Sequence, residues 1–241
     1  MLTRNPARLC HIAARALLQR LPTQCALCGD PGEAGLALCG PCRAELPWNT
    51  YACGRCAEPV PHASARYCAR CLRKPPAFDA AWAPLLYAEP VDQLITAMKF
   101  HGRLAYAQLL GAVIARQPPA GRVDRVVPVP LHRSRLRARG YNQAAELARA
   151  VAKELDVPLD WRAVQRTRNT AAQSGLPARA RRANVRGAFA PARRFDGECV
   201  AIFDDVITTG DTASELARTV KRAGARRVLA WACARAPRPR R

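Results

Sequence analysis

Short apolar runs alternate with amphipathic stretches along the chain from about residue 77 onward. The apolar runs predict buried strands, and apolar residues spaced three or four positions apart predict helices. Such alternation indicates a parallel, doubly wound α/β sheet, which binds ligands at the carboxyl ends of its strands. The predicted strands are residues 80–87, 125–129, 199–203 and 227–234. The predicted helices are residues 91–100, 104–116, 142–155 and 212–223.

Upstream of an apparent linker at residues 73–76, this alternation is absent and cysteines dominate. Eight of the 11 cysteines form four CxxC pairs, namely Cys25/Cys28, Cys39/Cys42, Cys53/Cys56 and Cys68/Cys71. Two such pairs complete a tetrahedral four-cysteine site of the kind that holds structural zinc, so four pairs predict two Zn²⁺ ions in a double zinc ribbon. Disulfides or a redox dithiol are the alternatives, but a redox CxxC usually occurs singly. Consecutive pairing of the motifs is simplest, and interleaved pairing stays open.

One segment concentrates polar groups between a predicted strand and a predicted helix. Residues 199–203 are apolar, Asp204 and Asp205 follow, and a turn of hydroxyls and glycine leads into the helix. Backbone N–H groups and hydroxyls at a helix N-terminus form an anion cradle. The two acids would repel a phosphate unless they meet hydroxyls or Mg²⁺ instead. A phosphorylated sugar fits this arrangement, because its ribose hydroxyls can face the acids while its phosphate lies in the cradle. A simple helix cap is the alternative, but it needs only one polar residue.

Charge supports an anionic ligand without identifying it. Lys plus Arg number 39 and Asp plus Glu 18, a net charge of +21, which favours nucleic acid, a phosphorylated small molecule or an anionic membrane surface. Arginine supplies almost all of the excess, so part of it reflects composition. The chain has no apolar run long enough for an integral membrane segment and no uncharged core of signal-peptide type. We therefore expect a cytoplasmic protein.

Basic residues cluster in three further segments. Lys99 ends a predicted helix, and four alternate arginines from Arg133 to Arg139 follow a buried strand. These arginines share one face if the segment is extended, but not if it is helical. Residues 161–195 contain nine arginines and no acid. This stretch predicts either a cationic loop that closes over a phosphorylated ligand or a charged insertion without a site.

The Asp-Asp segment resembles the signature of type I phosphoribosyltransferases, which bind phosphoribosyl pyrophosphate (PRPP) with Mg²⁺. The resemblance implies that Asp204 and Asp205 are the catalytic residues, which face the ribose hydroxyls and the electropositive ribosyl centre. It also implies a PRPP-binding loop made of Val206, Ile207, Thr208, Thr209, Gly210, Asp211 and Thr212. Residues for the pyrophosphate or the mobile loop would be Lys99, Arg133, Arg139, Arg166 and Arg168.

The order of motifs narrows the resemblance to the ComF family, which is linked to DNA uptake in natural competence. The zinc head, Lys99-Phe100-x-Gly102, Pro128–Leu131, Arg139–Gln143 and Arg166-Thr167 with Gln173 and Leu176 carry it. It implies a type I phosphoribosyltransferase-like parallel sheet with an N-terminal zinc ribbon. We predict an extension at 1–24, a double zinc ribbon at 25–74, the phosphoribosyltransferase-like domain at 77–234 and a basic tail at 235–241.

Two functions are compatible with these patterns. The first is an enzyme that transfers ribosyl phosphate from PRPP to an unknown acceptor. The second is a non-catalytic accessory protein of competence that binds single-stranded DNA, or other competence proteins, through the ribbon and its arginine-rich surface. Aromatic residues make up only 6% of the chain, which weakens the case for a dedicated base-stacking platform.

Overall fold

The fold is taken from a computed structural model that describes residues 23–33, 35–169 and 185–238. The chain divides into two compact units, Met1–Leu46 and Pro47–Arg241. The smaller unit holds the first two CxxC motifs, whereas the larger unit holds the other two together with the sheet. The predicted boundaries at residues 25–74 and 77–234 stay a prediction.

Within the described part of the smaller unit, a short helix, α1 (Gly40–Ala44), follows Cys39 directly. Leu36 and Leu38 are almost fully buried there. Arg43 donates two hydrogen bonds of 3.1 Å to the carboxylate of Glu33. So few apolar side chains bury little surface, and a metal would therefore supply much of the folding free energy of this unit.

The larger unit is built around a five-stranded parallel sheet. Its strands are β1 (Ala80–Trp82), β2 (Leu85–Leu86), β3 (Arg125–Pro128), β6 (Cys199–Ile207) and β7 (Arg227–Arg235). The strand order is β1-β7-β6-β3, and β2 pairs with the far end of β7. All of these pairings are parallel, as the alternation of strand and helix predicted. A separate antiparallel pair consists of β4 (Val164–Arg166) and β5 (Phe189–Pro191).

The larger unit also contains helices, and those predicted at 91–100, 104–116, 142–155 and 212–223 are observed within one residue of these bounds. The described helices are α2 (Ala69–Arg73), α3 (Val91–Phe100), α4 (Ala105–Ala115), α5 (Arg133–Arg139), α6 (Gln143–Glu154) and α7 (Asp211–Arg222). Asn142 caps α6 by accepting a hydrogen bond of 3.1 Å from the backbone N–H of Ala144. The core beneath the sheet includes Ile202, Leu216 and Val228, which are at most 1% exposed. No helix among the described residues has the length and apolar character needed to cross a membrane.

Two strands differ from their predicted limits. The predicted strand 80–87 is interrupted between β1 and β2, where Pro84 has no N–H to donate to the ladder. The predicted strand 199–203 instead continues to Ile207, because Asp204, Val206 and Ile207 keep their pairing with β7. The apolar pattern predicted too early an end for β6. Polar residues can continue a strand when the neighbouring strand, here β7, still offers backbone hydrogen bonds.

Candidate phosphate-binding site and cysteine clusters

The two adjacent acids lie near the carboxyl end of β6, in the middle of the sheet. Asp204 is paired with Ala232 of β7, and Asp205 is only 5% exposed. The ammonium of Lys99, in the last turn of α3, contacts the Asp205 carboxylate. The structure thus joins a predicted pyrophosphate residue to a predicted catalytic acid, although 106 residues separate Lys99 and Asp205 in the sequence.

The protonation of this trio is strongly coupled. Burial, and then the neighbouring charge of Asp205, raises the pKa of Asp204 well above its ordinary value. Burial lowers the pKa of Lys99, but the charges of Asp205 and Asp204 outweigh this effect, so its pKa lies above the ordinary value. The site therefore holds a charged ammonium beside two carboxyl groups, and burial together with the charge of Asp205 disfavours ionisation of Asp204.

A tight turn connects β6 to α7 at this edge of the sheet. Gly210 immediately precedes the helix with φ of +78°, a left-handed conformation that glycine adopts without strain. Thr208 is exposed, and the hydroxyl of Thr209 accepts a hydrogen bond of 3.4 Å from the backbone N–H of Asp211. Strand, glycine turn and helix N-terminus together form the arrangement that the sequence predicted for an anion cradle.

A fully buried arginine holds the carbonyl side of this turn. Arg235, the last residue of β7, donates from Nη1 to the carbonyls of Ile207 (2.6 Å) and Ala236 (2.9 Å), and also to that of Thr208. Its Nη2 contacts the carboxylate of Glu58. The sequence placed Arg235 in a basic tail, and nothing in its local pattern indicates a buried role.

Two more arginines bond to the next carbonyl of the turn. Arg70, on α2, donates to the carbonyl of Thr209 at 3.0 Å, and Arg238 donates to the same oxygen at 3.3 Å. The backbone N–H of Arg238 also donates to Glu58 at 3.0 Å. Sequence reasoning missed these contacts. Arg70 and Thr209, like Arg238 and Glu58, are more than a hundred positions apart, whereas Arg238 and Thr209 are 29 positions apart.

The segment 139–143 ties the neighbouring elements together. The hydroxyl of Tyr141 donates to the carbonyl of Met98, the residue before Lys99. Tyr141 therefore fixes the end of α3 that delivers the Lys99 ammonium to Asp205.

Other residues of the same segment hold the loop after β3. The side-chain amide of Asn142 donates to the carbonyl of Val129 at 3.0 Å. Arg139 donates to Gln143 at 2.6 Å, and its guanidinium lies 5.4 Å from the centre of the Phe100 ring. The Asn142 contact positions the loop that leaves β3, whereas the Arg139 contacts join α5 to α6 and to the end of α3.

The arginines predicted for the pyrophosphate or the mobile loop do not gather around the two acids as Lys99 does. Residues 133–139 form the helix α5, so its alternate arginines do not share one face. Arg133 and Arg166 line one cavity of about 770 Å³, together with the exposed ring of Trp161. Burial and the nearby charge of Arg135 lower the pKa of Arg166, and Asp204 acts in the opposite direction.

Arg168 is exposed and donates to the carbonyl of Arg186. The structure gives it no contact with the acids among the described residues. The predicted motif residues Gln173 and Leu176, and the arginines of 179–182, lie outside the described part of the chain.

The cysteines of the CxxC motifs form two clusters of four. One consists of Cys25, Cys28, Cys39 and Cys42, and the other of Cys53, Cys56, Cys68 and Cys71; within each, all sulfurs lie within 4.8 Å of one another. This is the consecutive pairing of the motifs.

The sulfur distances fit zinc rather than disulfides. The Sγ–Sγ separations are 3.6 Å for Cys28–Cys39 and for Cys56–Cys68. Zn–S bonds of about 2.3 Å in a tetrahedron place the sulfurs about 3.8 Å apart, whereas a disulfide requires about 2.05 Å. All eight are free thiols. Both clusters thus fit structural Zn²⁺ sites.

Comparisons with known proteins found similarities to one family model and to several solved structures. The family model of the double zinc ribbon domain matches residues 16–72. Solved structures with partial similarity include glutamine phosphoribosylpyrophosphate amidotransferase from B. subtilis, at 21% identity over 52% of this chain and 25% of that chain (TM-score 0.35). Purine phosphoribosyltransferase from Pyrococcus horikoshii is 16% identical over 53% of this chain and 68% of that chain (TM-score 0.29). The chain spans only a quarter of the former protein.

The predicted fold class is confirmed by the parallel sheet and the two cysteine clusters.

Among curated proteins, DNA utilization protein YhgH of Escherichia coli K12 is 35% identical over 89% of this chain and 98% of its own length. Competence protein F of Haemophilus influenzae is 33% identical over 83% of this chain and 90% of its own length. These identities extend over nearly complete relatives. The chain therefore belongs to the ComF family, together with Competence protein F and DNA utilization protein YhgH.

Proposed function

We propose that this protein binds PRPP with Mg²⁺ and transfers its ribosyl phosphate to an acceptor in the cytoplasm, in a role connected with DNA uptake and use. The observation that carries the proposal is the junction of β6 and α7. Two carboxyl groups lie near the carboxyl end of β6, and a threonine-glycine turn after the strand leads directly into a helix N-terminus. A ribose 5-phosphate has hydroxyls for the acids and a phosphate for the turn.

Charge around the junction supports a ligand with several phosphates. Lys99 contacts Asp205 and can also meet a pyrophosphate oxygen, because an ammonium has three donors. Arg70, Arg235 and Arg238 lie on the carbonyl side of the turn and add positive potential there. A developing pyrophosphate would be stabilised by the Lys99 ammonium, while the Asp204 and Asp205 carboxylates would stabilise an electropositive ribosyl carbon.

The carboxylates fit Mg²⁺ by the chemistry of their oxygen atoms, which are the donors that this ion prefers. Asp204 is the better candidate ligand, because the Lys99 ammonium already contacts Asp205. An approaching cation would favour the ionised form of Asp204 and so oppose the burial that raises its pKa. When bound with PRPP, Mg²⁺ supplies neutralisation of the pyrophosphate charge.

Isothermal titration with PRPP and Mg²⁺ tests this proposal. We expect saturable binding by the wild type and a loss of about tenfold or more in affinity for Asp204→Asn/Asp205→Asn, since hydrogen bonds to charged groups contribute about 1.5–3 kcal/mol each. Asp156→Asn is the matched control, because Asp156 is exposed at φ of +52°, a conformation that asparagine tolerates. Absence of PRPP binding by the zinc-loaded wild type would refute the proposal.

A second candidate function is binding of single-stranded DNA at the cavity of about 770 Å³. Trp161, a residue that is 56% exposed, lines this cavity, and the guanidinium of Arg162 lies 4.2 Å from the centre of its ring. Arg133, Arg149 and Arg193 are also among the lining residues. An exposed aromatic ring surrounded by arginines is the arrangement on which bases stack while phosphates are neutralised.

Fluorescence titration of an unstructured oligonucleotide at several salt concentrations tests this second function. We expect affinity to fall steeply with salt, and Trp161→Ala to weaken binding by about fivefold or more at constant salt. Tyr51→Ala is the matched control, because Tyr51 is another exposed aromatic residue of the same unit. Equal affinities for wild type and Trp161→Ala would exclude this cavity as the binding surface.

A further inference from the structure

We propose that the second cysteine cluster, Cys53, Cys56, Cys68 and Cys71, positions the phosphate-binding turn through Arg70 and through the Glu58–Arg235 pair. This inference rests on the proposed function, because it gives a role to the turn that would hold the phosphate. It means that a structural metal site affects the affinity of the turn for phosphate, through these side chains. The turn is defined here as residues 207–210.

The cluster anchors Arg70, which contacts the turn directly, and Glu58, which contacts it through Arg235. Arg70 lies between Cys68 and Cys71 on α2, so closing the cluster fixes the backbone from which its side chain reaches Thr209. Glu58 follows the other motif, and its carbonyl accepts a hydrogen bond of 2.8 Å from the backbone N–H of Cys53. Both residues are therefore anchored to backbone that carries metal ligands.

The cluster also packs directly against the sheet domain. Cys53, Cys56 and Cys71 belong to the same buried core as Ile207 and Ala213. Cys56 and Cys71 line a cavity of about 140 Å³ whose other walls include residues of the turn. A change in the cluster thus has a short physical route to the turn, through packed side chains as well as through hydrogen bonds.

Peptide geometry explains why bracing the carbonyls affects an anion. In a planar trans peptide, the C=O of one residue and the N–H of the next point in opposite directions. The carbonyls of Ile207 and Thr208 face Arg235, and that of Thr209 faces Arg70 and Arg238. The three following N–H groups are therefore directed to the opposite side of the turn, where they can donate to a phosphate.

The consequence is that zinc in the second cluster and anion binding at the turn are coupled. If the cluster opens, Arg70 and Glu58 lose their fixed positions, and the N–H groups must be reoriented at the moment of binding. A site whose donors must first be ordered binds its ligand more weakly.

Arg70→Gln tests the coupling without altering any cysteine. Arg73→Gln is the matched control, since it removes the same charge from an exposed position on the same helix. Arg70→Lys retains a donor on a flexible stem and is the rescue variant. Two readouts are required on the zinc-loaded proteins, namely amide hydrogen exchange of residues 206–212 without ligand and titration with PRPP and Mg²⁺.

We expect Arg70→Gln to speed exchange in the turn and to raise the Kd for PRPP by about 3- to 10-fold, as loss of one hydrogen bond predicts. Arg73→Gln should match the wild type in both readouts, and Arg70→Lys should recover part of the loss. Zinc content should stay at two per chain in all variants. Equal exchange in Arg70→Gln and Arg73→Gln would overturn the inference.

The metal itself is tested by Cys68→Ser beside Cys28→Ser, which remove one ligand from the second and first clusters respectively. We expect each variant to lose one zinc and only Cys68→Ser to speed exchange in the turn. Unchanged exchange in Cys68→Ser after loss of its zinc would also overturn the inference. If the wild type fails to bind PRPP while these exchange differences persist, the proposed function is wrong, but the inference that the second cluster positions the turn is retained.

Discussion

Substitution of the buried Arg235 by methionine should destabilise the larger unit markedly. The Arg235 side chain is 1% exposed and that of Glu58 is 16% exposed, so the pair is shielded from water. Arg235 also donates to the carbonyls of Ile207 and Ala236 at 2.6 and 2.9 Å. Methionine can fill much of the volume but can replace none of these donors.

The magnitude follows from these contacts. Removal of one partner of a buried ion pair costs about 3–5 kcal/mol. Glu58 keeps a hydrogen bond of 3.0 Å from the backbone N–H of Arg238, which favours the lower end of that range. In a chain of this size 1 kcal/mol corresponds to about 2–4 °C, so we expect Arg235→Met to lower Tm by about 6–12 °C.

Calorimetric melting of zinc-loaded wild type and variant at neutral pH measures this change. Arg227→Met is the matched control, because Arg227 is exposed at the other end of β7 and its replacement should change Tm by less than about 2 °C. A fall of less than about 2 °C for Arg235→Met would refute the reasoning, since it would mean that the turn carbonyls do not depend on this side chain.

Three further expectations follow from other contacts. Tyr141→Phe removes the hydroxyl that donates to Met98, and thermal melting should show a loss of about 1 kcal/mol that the exposed Tyr51→Phe does not share. Asp204 has a raised pKa from burial, so the folded chain keeps that proton to higher pH than the unfolded chain and loses stability as pH rises. Urea unfolding of Asp204→Asn should therefore show a stability gain over wild type that grows between about pH 4 and pH 7, and a gain independent of pH would contradict this. Metal analysis of Cys25→Ser should find about one zinc per chain instead of about two, and retention of both ions would contradict the assignment of ligands.

Local patterns predicted the fold well where the determining interactions are local. The helix at residues 91–100 was predicted at its observed bounds, because its apolar spacing and the following glycine define it. The cysteine clusters could be predicted because motif spacing alone identifies the ligands. Proline likewise explains the break between β1 and β2, although apolar content alone predicted one strand.

The bracing of the turn could not be predicted in this way. Arg70 and Thr209 are 139 residues apart, and Glu58 and Arg235 are 177 apart. An arginine near a basic C-terminal segment has no local feature that distinguishes a buried donor from a solvated charge. Burial and partner identity depend on how the strands are ordered in the sheet, which periodicity does not encode.

A structure determined with bound PRPP and Mg²⁺ tests the central claim most directly. The account predicts the 5′-phosphate at the N–H groups of residues 208–212, on the side of the turn opposite Arg70 and Arg235. It also predicts the ribose hydroxyls at Asp204 and Asp205, and the pyrophosphate near Lys99. Location of the ligand in the cavity beside Trp161, with the turn empty, would contradict it.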